Sequence, residues 1–234
     1  MAETKPVVIS LGGSMLFSQD GAINTGYVKE FSTMLIGLQK SGQRIAVVVG
    51  GGASAKNYAV AARELCGNEF YADRLAIDAT RLNAKLLLAT LGDHAFPKVI
   101  KDIDDSFHAF REGLIPIGAG LLEGMTTDTI SALFAERLGA NRIINVSNID
   151  HVYDSDPKKN PSAKAFTEMT HAQLLALAEK GDDRKARTNF VFDVIATKIA
   201  ARSSIPISFV DGKKLAEVKK AITGAKFEGT LVER

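Results

Sequence analysis

The sequence predicts an α/β fold built on a mainly parallel sheet, with strands and helices alternating along 234 residues. Two observations support this fold class. Short apolar runs bounded by glycine, proline or polar residues predict strands that are buried on both faces. Several segments between these runs repeat apolar residues with helical spacing, which predicts crossover helices and right-handed connections between parallel strands.

Five apolar runs predict the strands of the sheet. In chain order they are "PVVISL" (6–11), "IAVVV" (45–49), "LIPIGA" (114–119), "RIINVS" (142–147) and "PISFV" (206–210). No internal repeat or low-complexity linker divides the chain. The polar, turn-rich segment 147–165 is expected to form a functional loop at the junction of two lobes.

Two of the intervening segments show helical spacing most clearly. Tyr27, Phe31, Met34, Leu35 and Leu38 share one stripe, and Leu75, Leu82, Leu86 and Ala89 share another. In the last predicted helix, the apolar residues Phe190, Phe192, Ile195 and Ile199 are expected in the core.

Composition excludes several classes of protein. A formal net charge of +2, with lysines and arginines scattered among acids, gives no electrostatic case for a nucleic-acid partner. The single cysteine, Cys66, excludes an internal disulfide framework and a structural zinc site, and suits a reducing compartment. Neither a signal peptide nor an apolar run near the roughly 20 residues of a membrane helix is visible. We therefore expect a cytoplasmic protein without a membrane partner.

Three predicted strands each run into a glycine-rich turn that a helical pattern follows. These turns are Gly12-Gly13-Ser14, Gly50-Gly51-Gly52 and the segment 118–128. In an open α/β sheet, ligands bind beyond the carboxyl ends of the strands. Glycine lets the backbone approach a ligand closely, and the first amides of a helix favour an anion. One such turn could be a tight connection without a ligand, but three together predict binding of phosphates.

The turns match neither of the common nucleotide-binding motifs. The sequence contains no P-loop, in which a glycine, four further residues and Gly-Lys precede a serine or threonine. The stretch "GAGLLEG" (118–124) has one residue too many between its second and third glycines for the dinucleotide-binding motif. The predicted phosphate sites therefore belong to another fold.

Two groups of polar residues follow the glycine turns. Thr126, Thr127 and Asp128 begin a predicted helix, where they could cap its free amides or offer hydroxyl groups to a phosphate. The second group could be a solvated turn or the edge of a base-binding pocket, and comprises Asn148, Asp150, Tyr153, Asp154 and Asp156.

A set of motifs along almost the whole chain resembles the amino acid kinase superfamily. In order, the motifs are "SLGGS" (10–14), "VVVGGG" (47–52), "ADRLAIDATRLNAKLL" (72–87), "GMTTDT" (124–129), "NIDHVYDSDP" (148–157) and "NFVFDVIATKIAARS" (189–203). Within this set, the combination of "VYDSDP" with "TTD" and "GGG" is specific to that superfamily. Within the superfamily, the chain is most similar to the archaeal-type UMP kinases.

This resemblance implies a three-layer α/β/α sandwich formed by one domain over residues 1–234. The N-terminal lobe, about 1–145, would bind the acceptor, and the C-terminal lobe, about 146–234, would bind ATP. The implied reaction is ATP-dependent phosphorylation of UMP to UDP in pyrimidine nucleotide synthesis, with Mg²⁺ accompanying ATP and no metal ligands assigned in the chain. The resemblance also implies a hexamer.

The resemblance assigns residues to three roles by position. Around the transferring phosphates would lie Gly13, Ser14, Asp128 and Asp193. ATP would be bound by Gly12, Gly51, Gly52, Lys56, Ser147, Asn148, Tyr153 and Asp156. The acceptor would be bound by Gly50, Asp73, Gly120, Gly124, Thr126 and Thr127. Asp73 suits the two ribose hydroxyls because a carboxylate accepts from both.

Four features depart from the family pattern. Ser10 stands where many relatives have a lysine that stabilises the transferring phosphoryl group, although some archaeal-type relatives also lack it. Leu121 and Leu122 replace groups that would hydrogen-bond the pyrimidine or its phosphate. Ala76 replaces a glycine next to the acceptor sugar, and His151 replaces the glycine of a turn, where histidine tolerates positive φ.

These departures leave two alternatives open: a kinase of another small phosphate- or carboxylate-bearing acceptor, and a non-catalytic nucleotide-binding protein of the same fold. Isopentenyl phosphate kinases fit less well, because Ala53-Ser54-Ala55 replaces their histidine-bearing loop. Arg74 and Arg81 lie near one helical face, where they could support the acceptor or an oligomer contact.

Overall fold

The computed structural model describes residues 5–157, 159–181 and 192–234. Its strands are β1 (Val7–Leu11), β2 (Ile45–Val49), β3 (Ile117–Gly118), β4 (Arg142–Ser147), β5 (Val152–Tyr153), β6 (Ala165–Phe166), β7 (Glu168–Thr170), β8 (Ile207–Asp211) and β9 (Thr230–Glu233). Its α-helices are α1 (Thr25–Lys40), α2 (Gly52–Cys66), α3 (Glu69–Leu91), α4 (Ile103–Arg111), α5 (Thr127–Leu138), α6 (His171–Gly181), α7 (Val194–Arg202) and α8 (Leu215–Thr223). Short 3-10 helices cover Gly13–Leu16 and Gly92–His94.

The main sheet runs in the order β3-β2-β1-β4-β8-β9-β7 through the described part of the chain. The strands from β3 to β8 in this order are parallel neighbours. β9 is antiparallel to β8 and parallel to β7. A separate antiparallel pair joins β5 to β6. The prediction of a mainly parallel sheet is confirmed.

Both faces of the sheet are covered, as β1 illustrates. Val7, Ile9 and Leu11 belong to a core shared with α1, α3 and α8. Val8 points the other way, into a second core shared with helices α4 to α7. Every residue of β1 is buried, which is why the strand does not alternate between apolar and polar residues and carries only one polar side chain, that of Ser10. The result is the three-layer α/β/α sandwich.

The strand predictions hold best in the centre of the sheet. β2 and β4 have the predicted bounds. β1 begins one residue later than predicted, and β8 is shifted by one residue at both ends. Only Ile117 and Gly118 of the predicted third strand form β3, although isolated bridges also pair Ile115 with Ala95 and Gly118 with Ile100. The sequence did not predict β5, β6, β7 or β9, which have two to four residues each.

The buried face of helix α3 differs from the apolar face that the sequence predicted. The helical spacing was right, but Leu75, Leu82 and Ala89 are exposed, and Leu82 is 66% exposed. The face that packs on the sheet carries Ala84 and Leu87 instead, both fully buried. The apolar spacing alone could not distinguish the two faces, because α3 carries large apolar residues on both.

The prediction that the apolar residues of the last predicted helix lie in the core is confirmed in part. Phe192 and Ile199 are buried, whereas Ile195 is half exposed at the second position of α7. Phe190 lies outside the described residues, as does the 189–191 portion of its motif. Among the helices that the structure describes, none combines the length and the apolar character needed to cross a membrane.

Candidate functional site

The parallel strands bring the predicted glycine turns to one edge of the sheet. β1 pairs with β2 on one side and with β4 on the other, so the turns after these strands are neighbours. A Cβ atom built on Gly13 would lie 2.0 Å from the Gly52 nitrogen, and one built on Gly12 would lie 3.2 Å from Cβ of Ser147. The turn after β1 is therefore packed between the turn after β2 and the end of β4.

The backbone amides of these turns divide into two groups. Gly12 N donates to Val146 O and Gly50 N donates to Leu11 O, each at 2.8 Å, so both amides belong to the sheet. The expectation that Gly50 presents its amide to a phosphate is therefore wrong. Helix α2 makes its first helical bond from Ala55 N to Gly51 O at 3.4 Å, and the amides before it have no helical acceptor. The amides of residues 51–54 are thus the ones available to an anion.

A buried carboxyl group lies beside the end of β1. The Ser10 hydroxyl donates to Asp128 Oδ1 at 2.8 Å, and Asn145 Nδ2 donates to the same oxygen at 3.2 Å. Burial of this carboxyl, with a smaller contribution from the charge of Asp193, raises the pKa of Asp128 to about 7 despite the two hydrogen bonds. At position 10 this chain therefore has a neutral hydroxyl that faces a carboxyl group with a raised pKa.

Asp193 ties the start of α5 to the start of α7. Its carboxylate caps α7 by accepting from Ala196 N at 2.8 Å. It also accepts from the hydroxyl groups of Thr126 and Thr129. Thr126 Oγ1 accepts in turn from Thr129 N at 3.1 Å, so Thr126 is the N-cap of α5. The interpretation of Thr126 as a helix cap is correct. The Asp193 carboxylate orients this threonine by accepting from its hydroxyl group.

The loop between β3 and α5, residues 119–126, is fastened to α3. Asp73 Oδ2 accepts from Gly124 N at 2.9 Å, and Arg74 forms an ion pair with Glu123 at 3.3 Å. We call residues 119–126 the acceptor loop. One carboxylate oxygen of Asp73 thus holds this loop.

Arg81 binds the other end of the acceptor loop. Its Nε donates to Gly120 O at 3.2 Å and its Nη2 donates to Leu121 O at 3.3 Å. Both arginines that the sequence placed on one face of α3 therefore contact the acceptor loop.

Two buried polar side chains of α3, Thr80 and Asn83, also hold the glycine turns. Neither residue was predicted from the sequence. Asn83 Nδ2 donates to Gly50 O and Gly51 O, and Thr80 Oγ1 accepts from Gly120 N. The signal available in the sequence is two polar residues spaced by three along a helix whose other buried positions are apolar.

The apolar substitutions in the acceptor region occupy different environments. Leu121 packs against the core beneath α4 to α7, whereas Leu122 is 54% exposed. Ala76 packs with Ala59, Ala62 and Ala72 between α2 and α3. The Ala76 methyl group therefore packs in a helix interface.

The segment after β4 carries the predicted base-binding residues in exposed or half-buried positions. Tyr153 OH donates to the Asp150 carboxylate at 3.1 Å, and the His151 amide donates to it at 3.0 Å. Burial works to raise the pKa of Asp150, but these hydrogen bonds outweigh it and hold the pKa below its ordinary value. Asn148 and Lys56 are exposed at the same edge of the sheet.

Two other residues of this segment are held through their backbones. Ser147 O accepts from Gly212 N at 2.7 Å, and Asp156 O accepts from Asn160 N at 2.8 Å. His151 does not occupy the positive-φ region, because the only non-glycine residue found there among those described is Ser204, at φ 52°. The expectation that His151 tolerates a glycine-type turn is therefore wrong.

The described residues include no cluster of three or more His, Cys, Asp or Glu side chains placed to hold a metal ion. Asp128 and Asp193 are the carboxyl groups beside the glycine turns, and both are already hydrogen-bonded within the protein. A Mg²⁺ ion that arrives on a nucleotide needs few protein ligands, because phosphate oxygens and water complete its coordination.

Comparison with known proteins identifies relatives over nearly the whole chain. The model of the amino acid kinase family matches residues 5–211. Uridylate kinase from Methanospirillum hungatei is 37% identical, over 97% of this chain and 94% of that protein. Uridylate kinase from Thermococcus kodakarensis is 39% identical, over 97% of this chain and 99% of that protein. The crystal structure of uridylate kinase from Archaeoglobus fulgidus superposes with a TM-score of 0.84 at 35% identity, over 97% of this chain and 99% of that one.

Proposed function

This chain belongs to the amino acid kinase family, and we propose that it transfers the terminal phosphoryl group of Mg-ATP to UMP, forming UDP for pyrimidine nucleotide synthesis. The observation that carries the proposal is the contact between the turns after β1 and β2, next to the acceptor loop. Phosphoryl transfer requires two phosphates placed in line among oriented N–H donors. Relatives named uridylate kinase support UMP as the acceptor.

The donor would bind where the first amides of α2 face the turn after β1. Gly51 and Gly52 supply free amides, and Gly13 allows their close approach. Ser14 is exposed at this edge and Lys56 is exposed on α2, so both can reach phosphate oxygens. The adenosine would lie against the C-terminal lobe, about 146–234, which carries Ser147, Asn148, Tyr153 and Asp156.

The acceptor would bind the N-terminal lobe, about 1–145. Asp73 is placed to accept from ribose hydroxyls, and the phosphate would lie near Thr127 at the first turn of α5. Leu121 and Leu122 offer no polar side chain, so uracil would be recognised through backbone groups of the acceptor loop.

Protonation of Asp128 would reduce the negative charge at a site where position 10 carries no lysine. An ionised Asp128 would repel the negative charge of a nearby phosphoryl group. Burial raises its pKa to about 7, which keeps a large fraction of this group neutral near neutral pH. Mg²⁺ bound to the donor supplies charge neutralisation on the phosphates.

The proposal is tested by coupled ADP release with Mg-ATP. The acceptor panel contains UMP, CMP, the purine monophosphates and small phosphorylated or carboxylated metabolites. We expect turnover with UMP well above that with every other acceptor. Turnover with a different acceptor would show that this compound, and not UMP, is the substrate. Thermal stabilisation by ATP without turnover would identify a nucleotide-binding protein that does not catalyse the transfer.

We further propose that the chain forms a homo-oligomer, with a hexamer as the expected state. Helices α2 and α3 expose large apolar side chains on the side away from the sheet: Tyr58, Leu65, Phe70, Tyr71 and Leu82. Leu65 is 86% exposed and Leu82 is 66% exposed. Large apolar side chains left exposed on two neighbouring helices are typical of a protein interface. A monomeric mass from light scattering would contradict this proposal.

The proposed location is the cytoplasm. The single thiol, Cys66, is free and exposed at the end of α2, which suits a reducing compartment.

A further inference from the structure

Helix α3 buries two polar side chains on the face that it turns toward the glycine turns. Thr80 and Asn83 are each 7% exposed, and they lie one helical turn apart. A buried polar group destabilises the folded state unless it forms hydrogen bonds. The partners of these two side chains therefore indicate why the helix carries them.

Asn83 helps to fix the direction of the two peptide units after β2, together with Ser54 Oγ and Ala55 N, which also donate to Gly51 O at 3.0 Å and 3.4 Å. Its Nδ2 donates to Gly50 O at 2.9 Å and to Gly51 O at 3.0 Å. In a planar trans peptide, the carbonyl and the following N–H point in opposite directions. Because Asn83 holds both carbonyls toward α3, the N–H groups of Gly51 and Gly52 point away from α3. These are amides that the helical bonds of α2 leave free.

Thr80 performs the equivalent function for the acceptor loop. Its hydroxyl donates to Ile77 O at 2.6 Å, so a lone pair of the same oxygen accepts from Gly120 N at 2.9 Å. The neighbouring Arg81 donates to Gly120 O at 3.2 Å. Gly120 is thus held at both its amide and its carbonyl by consecutive residues of α3.

We propose that Thr80 and Asn83 are positioning residues that fix the donor-phosphate turn and the acceptor loop relative to each other on one rigid helix. This inference rests on the proposed function, because it assigns the two turns to the two substrates. Donors that are oriented before the reaction stabilise the transition state without further reorganisation. Since misplacement by about 1 Å can reduce the rate about 100-fold, a shared scaffold for both turns has direct catalytic value.

The first test replaces Asn83 by aspartate, which has the same shape but cannot donate to the two carbonyls when ionised. We expect kcat for UMP phosphorylation to fall about 100-fold, with Mg-ATP affinity reduced as well. Asn83→Leu, which keeps the volume without a donor, should behave similarly. Ser32→Ala is the matched control, because Ser32 Oγ is buried without a hydrogen-bond partner among the described residues, and it should retain the wild-type kcat.

The second test compares three hydroxyl changes on the same helix. Thr80→Val removes the acceptor for Gly120 N and should raise the UMP KM about 10-fold, with a smaller change in the ATP KM. Thr80→Ser keeps the hydroxyl and should restore the UMP KM. Thr90→Val is the control, because the Thr90 hydroxyl donates to Leu86 O within α3, away from the acceptor loop, and this change should leave both KM values unchanged.

Three results would overturn the inference. One is wild-type kinetics in Asn83→Asp, and another is equal behaviour of Thr80→Val and Thr80→Ser. The third is a loss of activity that disappears once each variant is assayed well below its own unfolding temperature, because that pattern indicates a role in stability alone.

Hydrogen exchange separates failure of this inference from failure of the proposed function. Peptides that cover residues 118–122 should exchange faster in Thr80→Val than in Thr90→Val, whether or not any acceptor is phosphorylated. If the wild type transfers no phosphoryl group but exchange changes in this way, the proposed function fails and the positioning of the loop remains. If the wild type is active and exchange does not change, the inference alone fails.

Discussion

The two sides of the candidate site are held in different ways. On the N-terminal side, buried side chains of α3 fasten the glycine turn after β2 and the acceptor loop to one helix. On the C-terminal side, the segment after β4 is held by hydrogen bonds among exposed or half-buried groups such as Asp150 and Tyr153. Hydrogen bonds in low-dielectric surroundings are stronger and costlier to break than exposed ones. We infer from this difference that orientation matters most at the glycine turns, where the phosphates would meet, and less where a base would bind.

The largest expected effect comes from Gly13→Ala. The added Cβ would lie 2.0 Å from the Gly52 nitrogen, so the turns after β1 and β2 would have to separate. We expect kcat/KM for UMP phosphorylation to fall by at least about 100-fold. Gly37→Ala in α1 is the control, because its Cβ would meet no atom within 4 Å, and it should keep full activity.

The raised pKa of Asp128, caused by burial of its carboxyl group, predicts a pH-dependent stability. The folded-state pKa of Asp128, about 7, is above the ordinary value of 3.8, so the folded state binds the proton more tightly. The resulting stabilisation is complete below about pH 4 and is lost as the pH rises through 7. Urea unfolding should show that the free energy of unfolding decreases by at most about 4 kcal/mol more in the wild type than in Asp128→Asn across this range. Parallel curves for the two proteins would contradict the assignment.

A smaller effect is expected from Asp73→Asn on the acceptor side. The amide can still occupy the space beside Gly124, but it lacks the charge and one acceptor oxygen. The KM for UMP should rise about 10-fold, and the KM for ATP should change much less. Equal changes in the two KM values would remove Asp73 from the acceptor site.

The smallest effect is expected on the C-terminal side, from Tyr153→Phe. This substitution removes the hydrogen bond to Asp150, at 3.1 Å, but keeps the ring that would contact a base. The ATP KM should change by less than about threefold, because a partly exposed hydrogen bond contributes little net free energy. A change as large as that in Asp73→Asn would mean that the two sides are held with similar strength.

Local sequence patterns were enough to predict much of the fold and the outline of the site. Mostly apolar runs identified β1, β2 and β4, because strands buried on both faces carry apolar side chains at most positions. Glycines at the strand ends identified the turns, because only glycine permits the close approach seen between Gly13 and Gly52.

The hydrogen-bond partner of each group in the site depends on contacts between residues that are far apart in the sequence. Asn83 contacts a turn 33 residues away, and Thr80 contacts a loop 40 residues away. Such contacts exist because the sheet order places β3 beside β2 under the same face of α3. The same order assigns the Gly50 amide to the sheet and leaves the amides that follow it free. The amino-acid sequence thus set which segments are buried and where the backbone is free to turn. Pairing between distant residues set which backbone N–H donors remain for a ligand. The reason is that each buried N–H must find an acceptor among the groups that the fold places next to it.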